Sequence, residues 1–327
     1  MRFLYKRRNV IAMLGGAAAS PIAARVGWGQ GYPSRTVRII VGFPPGGAAD
    51  ITARLISVWL SNHLGQSFVV ENRPGAGTHI AAEAVAKSPA DGYTLLLVSM
   101  ANAVNATLYE RPDFDFIRDI APVAGLIRGP LVMVLNPSVS ASTIPEFIAY
   151  AAENPNKINV ASAGNGTPSH LAVELFRMFT ALDLFVVQYR GGAPALTDLI
   201  AGQMQVMFDN VPTSLEYIKS SRIRPLAVTS TARSESLPDV PTVSEFVPGY
   251  EVSSWFGIGV PRNTSAEVVV KLNAAINSAL ADPNIQARVV ALGSSVIAGS
   301  PPAFGNVIVE ETAKWGAVIR AANLKVE

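Results

Sequence analysis

VRIIVGFPPGGAADITARL, residues 37 to 55, runs from a β-branched apolar segment through two prolines and two glycines into helical spacing. That order describes one strand, a tight loop and the start of a helix. The plan recurs along the chain. Val37 to Phe43, Phe68 to Glu71, Tyr93 to Val98, Leu131 to Leu135, Ile158 to Ala161, Phe185 to Tyr189, Gln205 to Phe208, Leu226 to Thr229 and Ser254 to Val260 read as strands. Ala49 to Leu64, Ile80 to Lys87, Ile144 to Glu153, Ser169 to Leu182, Ala195 to Ala201, Ala266 to Ala281, Pro283 to Leu292 and Pro302 to Ala321 read as helices. Short apolar strands alternating with helices predict an α/β protein whose mainly parallel sheets are covered on both faces. The proline-rich stretch 237–250, LPDVPTVSEFVPGY, reads as a long surface connection. An economical arrangement is two lobes, residues 31–130 with 250–327 and residues 131–249, with a ligand in the cleft between them.

The opening loop has an echo. GGAADITARLI at 46–56 is matched by GGAPALTDLIA at 191–201, and NVASAGNGTPSHLAVELF at 159–176 repeats the strand, small-residue loop and helix. Under the two-lobe arrangement the first loop faces the other two. All three sit at carboxyl ends of strands, where open α/β sheets bind ligands. A helix start offers unpaired amides and a partial positive charge, so it can hold a carboxylate or a phosphate without a basic side chain.

Phosphate loops fail on detail. Gly47 is followed by Ala48, Ala49 and Asp50 rather than by Lys and a hydroxyl residue, and RPGAGTHIA at 73–81 lacks the third glycine of a dinucleotide fingerprint. Asp50 in the first helical turn suits the helix dipole and ties the loop. Gly46 and Gly47 serve either a tight turn or the close approach of a ligand. Thr167 caps the helix that Pro168 begins, and Thr167 and Ser169 face the same loop. Ser169 and His170 are adjacent, so they point apart on a helix, and no nucleophile elbow surrounds them. Ser99 and Asn105 follow one strand, and Asp209 and Asn210 follow another. Asp209 either accepts a hydrogen bond from a ligand or caps the next helix. Tyr189 and Trp255 line the cleft or belong to the core.

Composition narrows the function further. The 327 residues carry a net charge of +2, and the first thirty hold Arg2, Lys6, Arg7, Arg8 and Arg25 with no acid, so loss of that segment leaves −3. Its basic start, its apolar stretch Val10 to Ala19 and the small residues after it predict a secretory signal at 1–30. Arg7 and Arg8 also permit twin-arginine export, although Lys6 stands where a serine or threonine is usual. Cleavage after Ala19, Ala24 or Gln30 is compatible with this reading, and the mature domain starts near Gly31. No basic surplus then remains for nucleic acid. The absence of cysteine excludes disulfides and thiol catalysis, and His63, His79 and His170 lie too far apart in sequence for a zinc motif, so no metal or cofactor is expected.

YPSRTVRIIVGFPPGGAADITARL, VVENRPGAGTHIAAEAVAKSPADGYTLLL, SAGNGTPSHLAVELF, YRGGAPALTDLIAGQ and PDVPTVSEFVPGYEVSSWFGIGVP occur here in order. Together they resemble the Bug-type extracytoplasmic solute-binding proteins of tripartite tricarboxylate transporters across essentially the whole mature chain. The resemblance implies a two-lobed, type II-like periplasmic-binding-protein fold that closes on a small carboxylate. The leading expectation is thus a periplasmic, monomeric binding protein without enzymatic activity that delivers its ligand to membrane permease subunits; the alternatives are a reporter of ligand occupancy to a membrane sensor such as a sensor kinase, and an exported hydrolase using Ser169 or Ser99. The family's first binding loop matches Phe43, Pro45, Gly46 and Gly47. Its second-lobe loops match Ser162, Gly164, Thr167, Ser169 and His170, then Tyr189, Gly191 and Gly192, while Ser99 and Asp209 match positions that commonly face the ligand. With Asn105 these make the candidate site. Two positions depart from the family: it often has glycine where Ser221 stands, and small residues near Asp209 and Asn210. The second departure leaves the choice among dicarboxylates, citrate, amino acids and aromatic acids open.

Overall fold

The computed structural model describes residues 31–108, 114–155 and 157–321. The predicted signal segment lies outside the described residues. The strands are β1 (Val37–Val41), β2 (Phe68–Asn72), β3 (Thr94–Ser99), β4 (Ile120–Leu135), β5 (Asn159–Ser162), β6 (Phe185–Gln188), β7 (Val206–Asn210), β8 (Arg224–Val228), β9 (Ser253–Pro261) and β10 (Ser295–Val296). They form a mixed sheet in the order β2-β1-β3-β9-β4-β7-β5-β6, with β8 and β10 pairing additionally with β4. The outer strands β2-β1-β3 and β6-β5-β7 are parallel, as their βα connections require. The centre is antiparallel: β9 lies between β3 and β4, and β4 also pairs with β7 and β8. The sheet is therefore mixed rather than mainly parallel, because β4 and β9 each run against the strands beside them.

β4 begins eleven residues before the apolar run that announces it. Its first half, IAPVAGLIRGP, carries two prolines and two glycines, and it stays in the ladder with β9 through register shifts at Pro122/Ala124 and Gly125/Ile127. From Ile120 to Pro130 it pairs with β9, and from Leu131 to Leu135 it lies between β7 and β8.

Helices cover the sheet: α1 (Ala48–Leu64), α2 (His79–Ala86), α3 (Met100–Leu108), α4 (Phe116–Asp119), α5 (Ile144–Glu153), α6 (Pro168–Thr180), α7 (Gly192–Ile200), α8 (Val211–Lys219), α9 (Ala266–Ala281), α10 (Pro283–Ala291) and α11 (Pro301–Ala321). Local chemistry sets their ends. Thr143, Thr167, Ser265 and Asp282 cap α5, α6, α9 and α10 with side-chain oxygens, and Gly65 ends α1 at φ 70°. Ser221, exposed in the turn after α8, adopts φ 56°, the left-handed region in which a glycine carries no Cβ penalty.

The proline-rich connection is more than a surface loop. Thr242 and Glu245 close a capping box, and Val243 and Tyr250 are fully buried. The Tyr250 hydroxyl donates to the Ala172 carbonyl at 2.8 Å, and its ring packs against Phe176 and Phe208 at centroid distances of 6.1 and 6.3 Å. Burial of that ring contributes about 2–3 kcal/mol, which pins the connection to α6 and β7.

Candidate functional site

The carboxyl ends of β1, β3, β5 and β7 converge on one partly open cavity of about 40 Å³. Its walls come from Phe43, Pro44 and Gly47 after β1, Ser99 at the end of β3, and Ala163 after β5. Thr167 to Ser169 open α6, Gly192 opens α7, Asp209 ends β7, and Ser254 and Phe256 belong to β9. A second cavity of about 230 Å³ adjoins it and shares Phe43, Ala163 and Thr167, adding Gly164, Tyr189 and the loop from Gly75 to Thr78.

The two glycine loops meet. A Cβ on Gly191 would lie 2.6 Å from Pro44 Cδ, and one on Gly46 would lie 4.0 Å from the Ala193 methyl. Gly191 has φ 142° and Gly46 φ 84°, so at both positions the backbone conformation itself asks for glycine. The echo in the sequence is thus an opposition in space.

Three helices point bare N-termini at this region. Gly47, Gly191 and Asn210 precede α1, α7 and α8, and none caps its helix with a side chain. Their first amides keep the partial positive charge of a helix start. No lysine or arginine lines the 40 Å³ cavity. Within its wall the backbone supplies the positive potential, and Arg190 lines the adjoining 230 Å³ cavity.

Asp50 organises rather than binds. It is buried, and it accepts hydrogen bonds from the Gly46 N–H (3.0 Å), Arg54 Nε (2.9 Å) and Asn72 Nδ2 (3.0 Å). Asn72 Nδ2 also donates to the Phe43 carbonyl at 2.9 Å. Burial pushes the carboxyl up, but the bonds from Arg54, Gly46 and Asn72 and the Arg54 charge outweigh it and hold the group below its usual range. The loop is tied at both ends by one carboxylate and one amide.

Around α6 the polar groups divide. Thr167 Oγ1 donates to the Gly164 carbonyl at 2.7 Å and accepts from the His170 N–H at 3.3 Å, so the cap also shapes the loop. His170 Nδ1 accepts from the Gly166 N–H at 3.2 Å, which leaves Nε2 facing Glu174 at 3.7 Å. Burial lowers the imidazole's pKa against the pull of the Glu174 charge. His170 is a loop brace, and it has no hydrogen bond to Ser169. The Ser169 hydroxyl is buried with no partner among the described residues, and so is that of Ser254. Both belong to residues that line the cavity. An unpartnered buried hydroxyl is costly, and two at one cavity mark positions able to donate a hydrogen bond to a bound group.

Asp209 is the one ionisable residue of the cavity wall. Thr213 Oγ1 and Ser214 Oγ donate to its Oδ2 at 2.5 and 2.7 Å. Its Oδ1 lies 3.3 Å from where a Cβ on Gly192 would stand. Burial pushes the carboxyl up to about 6, against the bonds from Thr213, Ser214 and the Asn210 N–H.

Of the residues expected from sequence, Phe43, Gly47, Ser99, Thr167, Ser169, Gly192 and Asp209 line the smaller cavity, and Gly164 and Tyr189 line the larger. Pro45, Gly46, Ser162, His170 and Gly191 shape the loops without appearing in either wall. Ser162 Oγ accepts from the Gly164 N–H at 3.3 Å, and the Tyr189 hydroxyl donates to Asp198 at 2.7 Å. Asn105 sits elsewhere: it donates to the Gly77 carbonyl and packs under Gly166, wedged between two loops. Trp255 is core, edge-on to Phe304 at 5.8 Å, while its neighbours Ser254 and Phe256 reach the cavity. Period two along β9 explains the split. Ser254 and Thr213 are polar wall residues that sequence reasoning missed. Among the described residues no group of three His, Asp or Glu side chains is placed to hold a metal ion, and no helix is long and apolar enough to cross a membrane.

The profile of the tripartite tricarboxylate transporter family receptor, TctC, matches residues 52–324. The chain is 36% identical to BugT of Bordetella pertussis over 312 residues, 94% of each chain. Among solved structures it superposes on Rpa4515 of R. palustris with adipate at a TM-score of 0.88, with 36% identity over 90% of this chain and 99% of that one. It superposes on MatC of Rhodopseudomonas palustris with bound malate at 0.84, with 31% identity over 88% and 100%.

Proposed function

The chain belongs to the tripartite tricarboxylate transporter receptor family, solute-binding proteins rather than enzymes, and from that premise we propose that it captures a small carboxylate in the periplasm and presents it to a transporter of that family. The two lobes expected from sequence close on the ligand, with β4 and β9 as the strands that run between them. The ligand class is that of adipate and malate, small linear dicarboxylates. The signal segment read in residues 1–30 provides the route of export, and permease subunits are the partners that the family implies.

One observation carries this reading: two unpartnered buried hydroxyls, Ser169 and Ser254, share one cavity with three uncapped helix openings and no basic side chain. Amides and hydroxyls together suit a carboxylate, which accepts several short hydrogen bonds. The test separates binding from folding. Ser169→Ala and Ser254→Ala each lower affinity for adipate or malate by about 10-fold, the worth of one hydrogen bond to a charged group. Each leaves the unliganded protein as stable as before or about 1 kcal/mol more stable, because a buried orphan is removed. Calorimetry with protein stripped of copurified ligand reads the first effect, and thermal melts read the second. Unchanged affinity in both variants would remove this cavity from the binding site.

A further inference from the structure

The cavity wall poses a problem for an anion, because its single ionisable side chain is an acid. Asp209 is fully buried on β7, opposite Val132 of β4. One of its oxygens is already committed to the hydroxyls of Thr213 and Ser214 on α8. The other looks toward Gly192, where α7 opens. From β4, from β5 and from the openings of α6, α7 and α8, the groups around it are apolar, hydroxyl or main-chain, and no charged side chain acts on it. Two carboxylates sharing such a site cannot both remain ionised.

Resting on the carboxylate reading above, we propose that Asp209 binds one proton together with the ligand and donates it from Oδ1 to a ligand carboxylate oxygen. Oδ2 is engaged by Thr213 and Ser214, and Oδ1, which faces the opening of α7 at Gly192, is the oxygen placed to present a proton to the ligand. Because the free group already titrates near pH 6, uptake begins inside the ordinary working range. The sign follows. Below about pH 6 the acid is protonated before binding and affinity is flat, whereas above it every complex must take a proton from solution. Asp209 then acts as the residue that sets which ligands fit: a fully ionised dicarboxylate needs the proton, and a ligand that brings its own donor to Oδ1 needs it less.

Titration calorimetry with adipate, run on the purified protein in buffers of different ionisation enthalpy, decides the matter. Near pH 7.5 the expected uptake approaches one proton per adipate, and Kd weakens toward 10-fold per pH unit between about pH 6.5 and 8.5. Asp209→Asn keeps an acceptor for the two hydroxyls and presents a permanent donor, so its Kd stays flat over that range with no proton uptake. A flat profile in the wild-type protein, or a slope that survives in Asp209→Asn, overturns the proton step while leaving carboxylate binding intact. The wild-type profile suffices even if the variant folds poorly. If neither adipate nor malate binds from about pH 5 to 8, the carboxylate reading itself fails, and the proposal fails with it.

Discussion

Gly191→Ala will weaken adipate binding by about 100-fold while the protein stays folded. The added methyl carbon would stand 2.6 Å from Pro44 Cδ and 3.0 Å from Pro44 Cγ, in the contact where the two glycine loops meet. At φ 142° the backbone strain of any residue with a side chain adds about 1–3 kcal/mol. The loops must spread to relieve the clash, and spreading them moves the openings of α1 and α7 apart. Gly202→Ala is the control. Gly202 also has a left-handed φ, 81°, but a Cβ there finds only Asn136 Nδ2 at 3.8 Å, and neither residue lines the cavity. Strain alone should lower the melting temperature of both variants, whereas affinity should fall only for Gly191→Ala. Equal affinities would show that the loop contact does not govern the site.

Gly257→Ala is the second large effect, and it falls on stability. Gly257 sits mid-strand in β9, paired with Val98 of β3 and Gly125 of β4. A methyl group there would lie 2.1 Å from Phe304 Cζ and 2.7 Å from the Ala124 carbonyl oxygen. The phenyl ring can turn, but the carbonyl belongs to a neighbouring strand and cannot. Overpacking of this kind costs about 3 kcal/mol, a fall of about 5 °C in melting temperature for a chain of this size. Phe304→Leu in the same chain should return part of the loss and not all of it. Complete rescue would place the whole clash on the ring.

These two glycines mark what could and could not be read from the sequence. The strand, loop and helix order of VRIIVGFPPGGAADITARL was legible because it is local: hydrophobic period, breakers and helix start all lie within twenty residues. The role of Asp50 was legible for the same reason, since its partners Gly46 and Arg54 are its own fourth neighbours on either side. Ser254 was not. Its strand was expected, and alternation would pair it with Phe256 on one face. Which face meets the cavity depends on β3 and β4, more than a hundred residues away. The first half of β4 was hidden by its prolines and glycines, whose register shifts make sense only beside β9. Tyr250 lay in a stretch of loop composition, and only its contact with α6 reveals a buried anchor. Asn105 was placed at the site by its position after a strand, yet it wedges between loops instead.

The uncapped starts of α1, α7 and α8 bear finally on entropy. A lysine or arginine that grips an anion loses about 1.5–2 kcal/mol of rotamer freedom as it is immobilised. Main-chain amides at a helix start were ordered when the helix formed, so seating a carboxylate on them freezes no additional torsion. The conformational cost of a main-chain grip is met during folding, once, and is not incurred again with each molecule of ligand.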